Sequence, residues 1–128
     1  MQPLRLALST VPGVFAVCRL DSASLVPSWA TQDGFIAIVR TAEELSIVCA
    51  EQAVPADVTC ERGWRGLKVA GPLDFALTGV LASLAGPLAE AGVSIFAIST
   101  YDTDYLFVRE KQLGIAIDAL RRAGFAIA

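Results

Sequence analysis

The chain holds 128 residues, enough for one domain or two small lobes sharing a core; 55% are hydrophobic and 18% charged, which excludes a disordered chain. A formal charge of −3 with scattered basic residues excludes nucleic acid as the main partner. Histidine is absent, which excludes Ser-His triads and most zinc sites, and three cysteines without CxxC spacing read as buried reduced thiols.

In chain order, residues 4–8 read as a first strand, ended by a turn at Thr10-Val11-Pro12-Gly13, with residues 14–20 as the second strand. The apolar start lacks a basic opening and a small-residue cleavage pattern. No apolar run reaches the roughly 18 residues needed to cross a bilayer. A soluble, cytoplasmic protein with no membrane partner is expected. Residues 21–30 offer one short helical turn. Residues 35–40 and 45–49 are strands joined by the corner Thr41-Ala42-Glu43-Glu44, and residues 51–63 look like a linker between halves.

The second half opens with a strand over residues 64–70 and a turn at Gly71-Pro72-Leu73-Asp74-Phe75. Leu77, Leu81, Leu84 and Leu88 then fall on one helical face, with Asp74 as the expected N-cap, Pro87 as an expected kink and Gly92 as the stop. Residues 93–98 form an apolar run that predicts a strand buried on both faces. A corner rich in hydroxyls and carboxylates follows (Ser99-Thr100-Tyr101-Asp102-Thr103-Asp104), and residues 105–108 form the next strand. Residues 110–123 predict a second helix with Leu113, Ile117 and Leu120 inward, and residues 125–127 a final short strand. The order over residues 64–128 is β-α-β-β-α-β, the split-βαβ arrangement of ferredoxin-like domains. An offset of 60 aligns Ala37 with Ala97, Ile38 with Ile98, Val48 with Val108 and Glu44 with Asp104, the pattern a duplication would leave.

In such a lobe the first and third strands run side by side, which brings the loop at Gly71 and Asp74 to the corner at Ser99 and Thr100. A helix starting near Asp74 offers unpaired N–H groups to a carboxylate, and Gly71 permits close approach. Asp74 or Asp104 can pair with an ammonium group, and Thr100 or Thr103 can add hydroxyl bonds. Together these suit a free α-amino acid. The plainer alternative is that Gly71-Pro72 makes a turn and Asp74 only caps the helix. Asp102 and Asp104 lack an evident third ligand, so no metal and no cofactor is expected. Cys49 and Cys60 have no histidine to activate them as nucleophiles. Trp29 and Trp64 read as packing residues.

Trp64, the Gly71-Pro72-Leu73-Asp74-Phe75 loop, and the run from Ile98 through Tyr105 with Val108 resemble small bacterial ACT-domain proteins. These are similar to the ACT pairs of aspartate kinases and of cytosolic arginine sensors. The likeness extends over nearly the whole chain, through residues 14–20, Trp29 and residues 41–48. It implies an α+β fold of two ferredoxin-like (βαββαβ, ACT-type) lobes, the N-terminal one degenerate, over residues 1–60 and 61–128. It also implies an amino-acid ligand at the interface between the lobes. The implied site takes in Gly71, Leu73 and Asp74, then Thr100, Tyr101, Thr103 and Asp104, with Ser46 and Ile47 from the other lobe. In the arginine sensors an acid at the place of Asp104 helps hold the ligand's positive charge.

The expectation is a non-enzymatic regulatory module that binds a free amino acid, forms a homodimer and acts on a separate protein. One rival is an ACT-type oligomerisation module with no small-molecule ligand. The other is a small enzyme using Asp74 or Asp104 as acid or base.

Overall fold

The computed structural model describes residues 6–32, 34–74 and 78–128. The chain divides into two compact units, one of Met1–Pro12 with Arg65–Ala128 and one of Gly13–Trp64. The long strands β1 (Ala7–Leu20) and β4 (Cys60–Val69) each contribute residues to both units.

The first unit contains α1 (Val80–Glu90), β5 (Ile95–Ser99), β6 (Asp104–Arg109), α2 (Leu113–Arg122) and β7 (Ala126–Ile127). With β4 these follow the expected β-α-β-β-α-β order, and β4 does lie beside β6. The start of β1 is inserted into this lobe. It pairs in parallel with β7, Ala7 opposite Ala126 and Leu8 opposite Ile127, and borders β4 on its other side. Leu67 and Val69 of β4, Leu84 and Leu88 of α1, Leu106 and Val108 of β6, and Leu120 of α2 form the core, all fully buried. Each such side chain stabilises the unit by about 1.5–3 kcal/mol through burial.

In the second unit β3 (Leu45–Ala50) lies between β2 (Ala37–Arg40) and the end of β1, antiparallel to both. Its core is made by Ala16, Cys18, Ala30, Leu45, Ile47, Cys49 and Val54, with Trp29 packed against it. Arg40 of β2 holds the loop after β1 by donating to the carbonyls of Ser22 and Ser24.

Several expectations change. The turn at residues 10–13 does not form, because β1 runs through it. Pro12 falls between the stretch paired with β7 and the stretch paired with β3, which begins at Phe15, so its missing N–H removes no bond from either ladder. Gly13 follows at φ 98, a conformation open to glycine. The expected strand at Trp64 starts at Cys60 instead. β5 is not buried on both faces: it is last in the strand order, and its side chains are half-buried or exposed. The buried member of the hairpin is β6, where Leu106, Phe107 and Val108 are all fully enclosed. Residues 110–112 form a 3-10 turn before α2 rather than the first turn of that helix.

The internal echo is real, with a different register. Arg40 opposite Leu45 and Ser99 opposite Asp104 close two hairpins on four-residue corners. The Thr41 N–H donates to the Glu44 carbonyl at 2.9 Å, as the Thr100 N–H donates to the Thr103 carbonyl at 2.8 Å. The N–H groups of Glu44 and Thr103 return to the Thr41 and Thr100 hydroxyls, each at 3.2 Å. Both second strands run into 3-10 turns that open on glutamate, Glu51–Ala53 and Glu110–Gln112. Thr41 and Thr100 are 59 positions apart, as are Glu51 and Glu110, so the offset of 60 is corrected by one. Leu45, not Glu44, occupies the place of Asp104. Where the first unit has α1, the second has the 3-10 turn Ser28–Thr31. Where the first has α2, the second passes from its glutamate turn to β4. These are two ferredoxin-like lobes, and the one nearer the amino terminus is degenerate, with 3-10 turns and no α-helix among its described residues.

Candidate functional site

The hairpin corner of the first unit is tied to the end of β4 by a small set of hydrogen bonds. The Thr100 hydroxyl donates to the Thr103 carbonyl at 3.0 Å. Thr103 is only 4% exposed, and its hydroxyl donates to the Val69 carbonyl at 2.7 Å. The Leu73 N–H donates to the Asp102 carbonyl at 2.6 Å, closing the loop after β4 onto the corner. That approach requires glycine at position 71, where a Cβ would lie 3.0 Å from the Thr103 Cβ and 3.1 Å from the Asp102 carbonyl oxygen. At the mouth of the hairpin the Ser99 hydroxyl donates to the Asp104 carboxylate at 2.6 Å.

Beside this corner is the start of α1. The helix begins at Val80 with Gly79 as its N-cap residue, at φ 80, so Asp74 does not cap it. Leu77, expected on the helical face, lies outside the described residues, as does Phe75. The Ser83 N–H donates to the Gly79 carbonyl at 2.9 Å, which leaves the N–H groups of Val80, Leu81 and Ala82 without acceptors inside the helix. Leu84 and Leu88 face the core as expected, whereas Leu81 is 37% exposed.

Between the corner and the helix start lies a cleft of about 340 Å³, built wholly within the first unit. That is the small end of the range for small-molecule sites, about 300–1,000 Å³. Its walls are residues 79–82 of the helix start, residues 99–104 of the corner, and Leu73 with Asp74. Asp74, Asp102 and Asp104 are its charged lining residues, and all three are carboxylates. The opposing wall carries the partial positive charge and outward N–H groups of the helix terminus. The lining therefore combines carboxylates with a helix N-terminus.

Of the residues singled out from sequence, Leu73, Asp74, Thr100, Tyr101, Thr103 and Asp104 line this one cleft. Gly71 sits behind it, against the corner. Ser46 and Ile47 lie in β3 of the other unit, Ile47 fully buried, and are not among the lining residues. The hydroxyls of Thr100 and Thr103 are engaged with backbone carbonyls, so their part in shaping the cleft is structural. The helix start at residues 79–82 was missed from sequence. Gly79, directly before the apolar run, was its available signal. No grouping of three His, Cys, Asp or Glu side chains suited to a metal occurs among the described residues. No described helix is long and apolar enough to cross a membrane.

A family model of the ACT domain matches residues 59–122, and a second, of an N-terminal domain, matches residues 13–57. A solved structure of a protein from Agrobacterium tumefaciens is 38% identical, with a TM-score of 0.93, covering 98% of this chain and 94% of that one. The regulatory subunit of aspartate kinase from Thermus thermophilus shares the fold at 15% identity, with a TM-score of 0.57 over 94% of this chain and 97% of that one. The cytosolic arginine sensor for mTORC1 subunit 1 of Mus musculus and of Homo sapiens is 37% identical over 95 residues, 70% of this chain and 27% of the sensor. The chain thus spans about a quarter of the length of the curated relatives it matches.

Proposed function

The chain belongs to the ACT-domain family, and we propose that it is a non-catalytic, cytoplasmic regulatory module that binds a free amino acid in the cleft beside α1. The observation that carries this reading is the pairing of a helix N-terminus with three carboxylates across one small cleft. The ligand's carboxylate accepts from the first-turn N–H groups of α1, and its ammonium group lies against Asp104, whose position the Ser99 hydroxyl holds. Three acidic side chains favour a ligand with a second positive charge. The curated relatives are named as arginine sensors, which makes arginine the first compound to test. Occupancy is read by a second copy of the chain or by a separate protein.

Thermal-shift and calorimetric titration against the twenty amino acids tests this. At least one raises the melting temperature and binds with measurable heat. Asp104→Ala weakens that ligand by about 1.5–3 kcal/mol, the range for a hydrogen bond to a charged group. If no amino acid at millimolar concentration alters the melting temperature, the binding reading fails and the oligomerisation reading replaces it.

A further inference from the structure

The three cysteines of the chain, Cys18, Cys49 and Cys60, sit in the second unit, on β1, β3 and β4. Cys18 and Cys49 are buried, and Cys60 is partly buried. Cys18 and Cys49 share one core cluster, and Cys60 packs against it. We propose that Cys18 and Cys60 are a redox-active pair, which hydroperoxides convert to a disulfide and thiols reduce again.

Strand register selects this pair. The Arg19 N–H donates to the Thr59 carbonyl at 3.0 Å, which sets residues 19 and 59 opposite each other as a hydrogen-bonded pair. Cys18 and Cys60 are then the adjoining non-hydrogen-bonded pair, directly opposite, with Cα atoms about 4.5 Å apart by strand geometry. A disulfide spans Cα separations of about 4.4–6.8 Å. Cys49 is placed differently. It pairs with Ala16 while Cys18 pairs with Ile47, so Cys18 and Cys49 are diagonal neighbours. Diagonal positions are about 7–8 Å apart, beyond what a disulfide closes without backbone movement.

Exposure sets the order of events. Burial, reinforced by the neighbouring thiols, pushes Cys18 up to about 12, so it stays protonated at neutral pH and is a poor first target. Cys60 is the least buried of the three. Its thiolate attacks one peroxide oxygen, the O–O bond breaks, and hydroxide leaves. The sulfur is oxidised to the sulfenic acid and the peroxide is reduced. The hydroxide released in that step takes the Cys18 proton as water, the Cys18 thiolate attacks Cys60 sulfur and the S–O bond breaks, and the departing hydroxide takes up the proton that Cys60 first released, giving the second water. Two thiols and one hydrogen peroxide give one disulfide and two waters.

The pair lies outside the cleft, so this inference stands apart from amino-acid binding. The test treats the reduced full chain with hydrogen peroxide, alkylates the remaining thiols, and maps the peptides without reductant. One linked peptide pair, Cys18 with Cys60, is expected, with a mass loss of two hydrogens, Cys49 alkylated, and full reversal by dithiothreitol. Cys49→Ser should keep the bridge, and Cys60→Ser should leave Cys18 reduced at the same peroxide dose. A Cys18–Cys49 bridge, a bridge between chains, or Cys60 carried to the sulfinic acid while Cys18 stays free would overturn the proposal. Because the Cys49→Ser and wild-type maps suffice, a folding failure of Cys60→Ser leaves the test intact.

Discussion

Thr103 is buried at the foot of the hairpin corner, and its hydroxyl holds the cleft's corner to β4. Thr103→Val keeps the shape but leaves the Val69 carbonyl without this donor, so urea unfolding should show a loss of about 1–3 kcal/mol. Thr100→Val should cost a similar amount: the Thr103 carbonyl keeps the Thr100 N–H, but the Thr103 N–H loses the hydroxyl that accepts from it. Chemical type brought Thr100, Thr103 and Asp104 to notice in the sequence. It could not show which acceptor each hydroxyl takes, because that depends on how the turn folds back on its own backbone. Asp102, which by residue type reads as a turn carboxylate without a metal to hold, contributes both its backbone carbonyl to Leu73 and a place in the cleft wall.

Among the elements, α1 shows where periodicity stops being informative. The leucine spacing marks a helix and its buried face correctly at Leu84 and Leu88. It does not mark the start, since the same spacing carries on through Leu81, which faces the cleft, and into residues that precede the helix. What sets the boundary is Gly79 at φ 80, a backbone state that costs a residue with a Cβ about 1–2 kcal/mol. Gly79→Ala should therefore lower stability by about that amount in thermal or urea unfolding. It should also weaken the amino-acid ligand, because the first-turn N–H groups lose their aim. The strands follow the same logic. β5 and β6 are both apolar runs, and only their places in the sheet order leave one half-exposed and bury the other at Leu106, Phe107 and Val108.

At the level of the whole molecule, the β-α-β-β-α-β order could be read from the second half, whereas the placement of β1 between β7 and β4 could not. Local pattern identifies a strand; which distant strand it pairs with is a long-range choice that no window of residues contains. A global measurement follows from the buried thiol of Cys18. Its folded value is about 12 against an ordinary 9.0, with burial the largest cause and Arg62 opposing it. Between those limits the unfolded chain has released a proton that the folded chain keeps. Stability therefore falls as pH rises above about 9, by up to about 1.4 kcal/mol per unit. Urea unfolding from pH 8 to 11 should show this slope in the wild type and a shallower one in Cys18→Ala. The two lobes share a corner, bond for bond, yet only one of them sets an eleven-residue helix against it. The other has a four-residue 3-10 turn at the corresponding place in its chain order, which gathers no comparable dipole. Saturation should accordingly come at a single equivalent of amino acid per polypeptide, although each polypeptide carries two such corners.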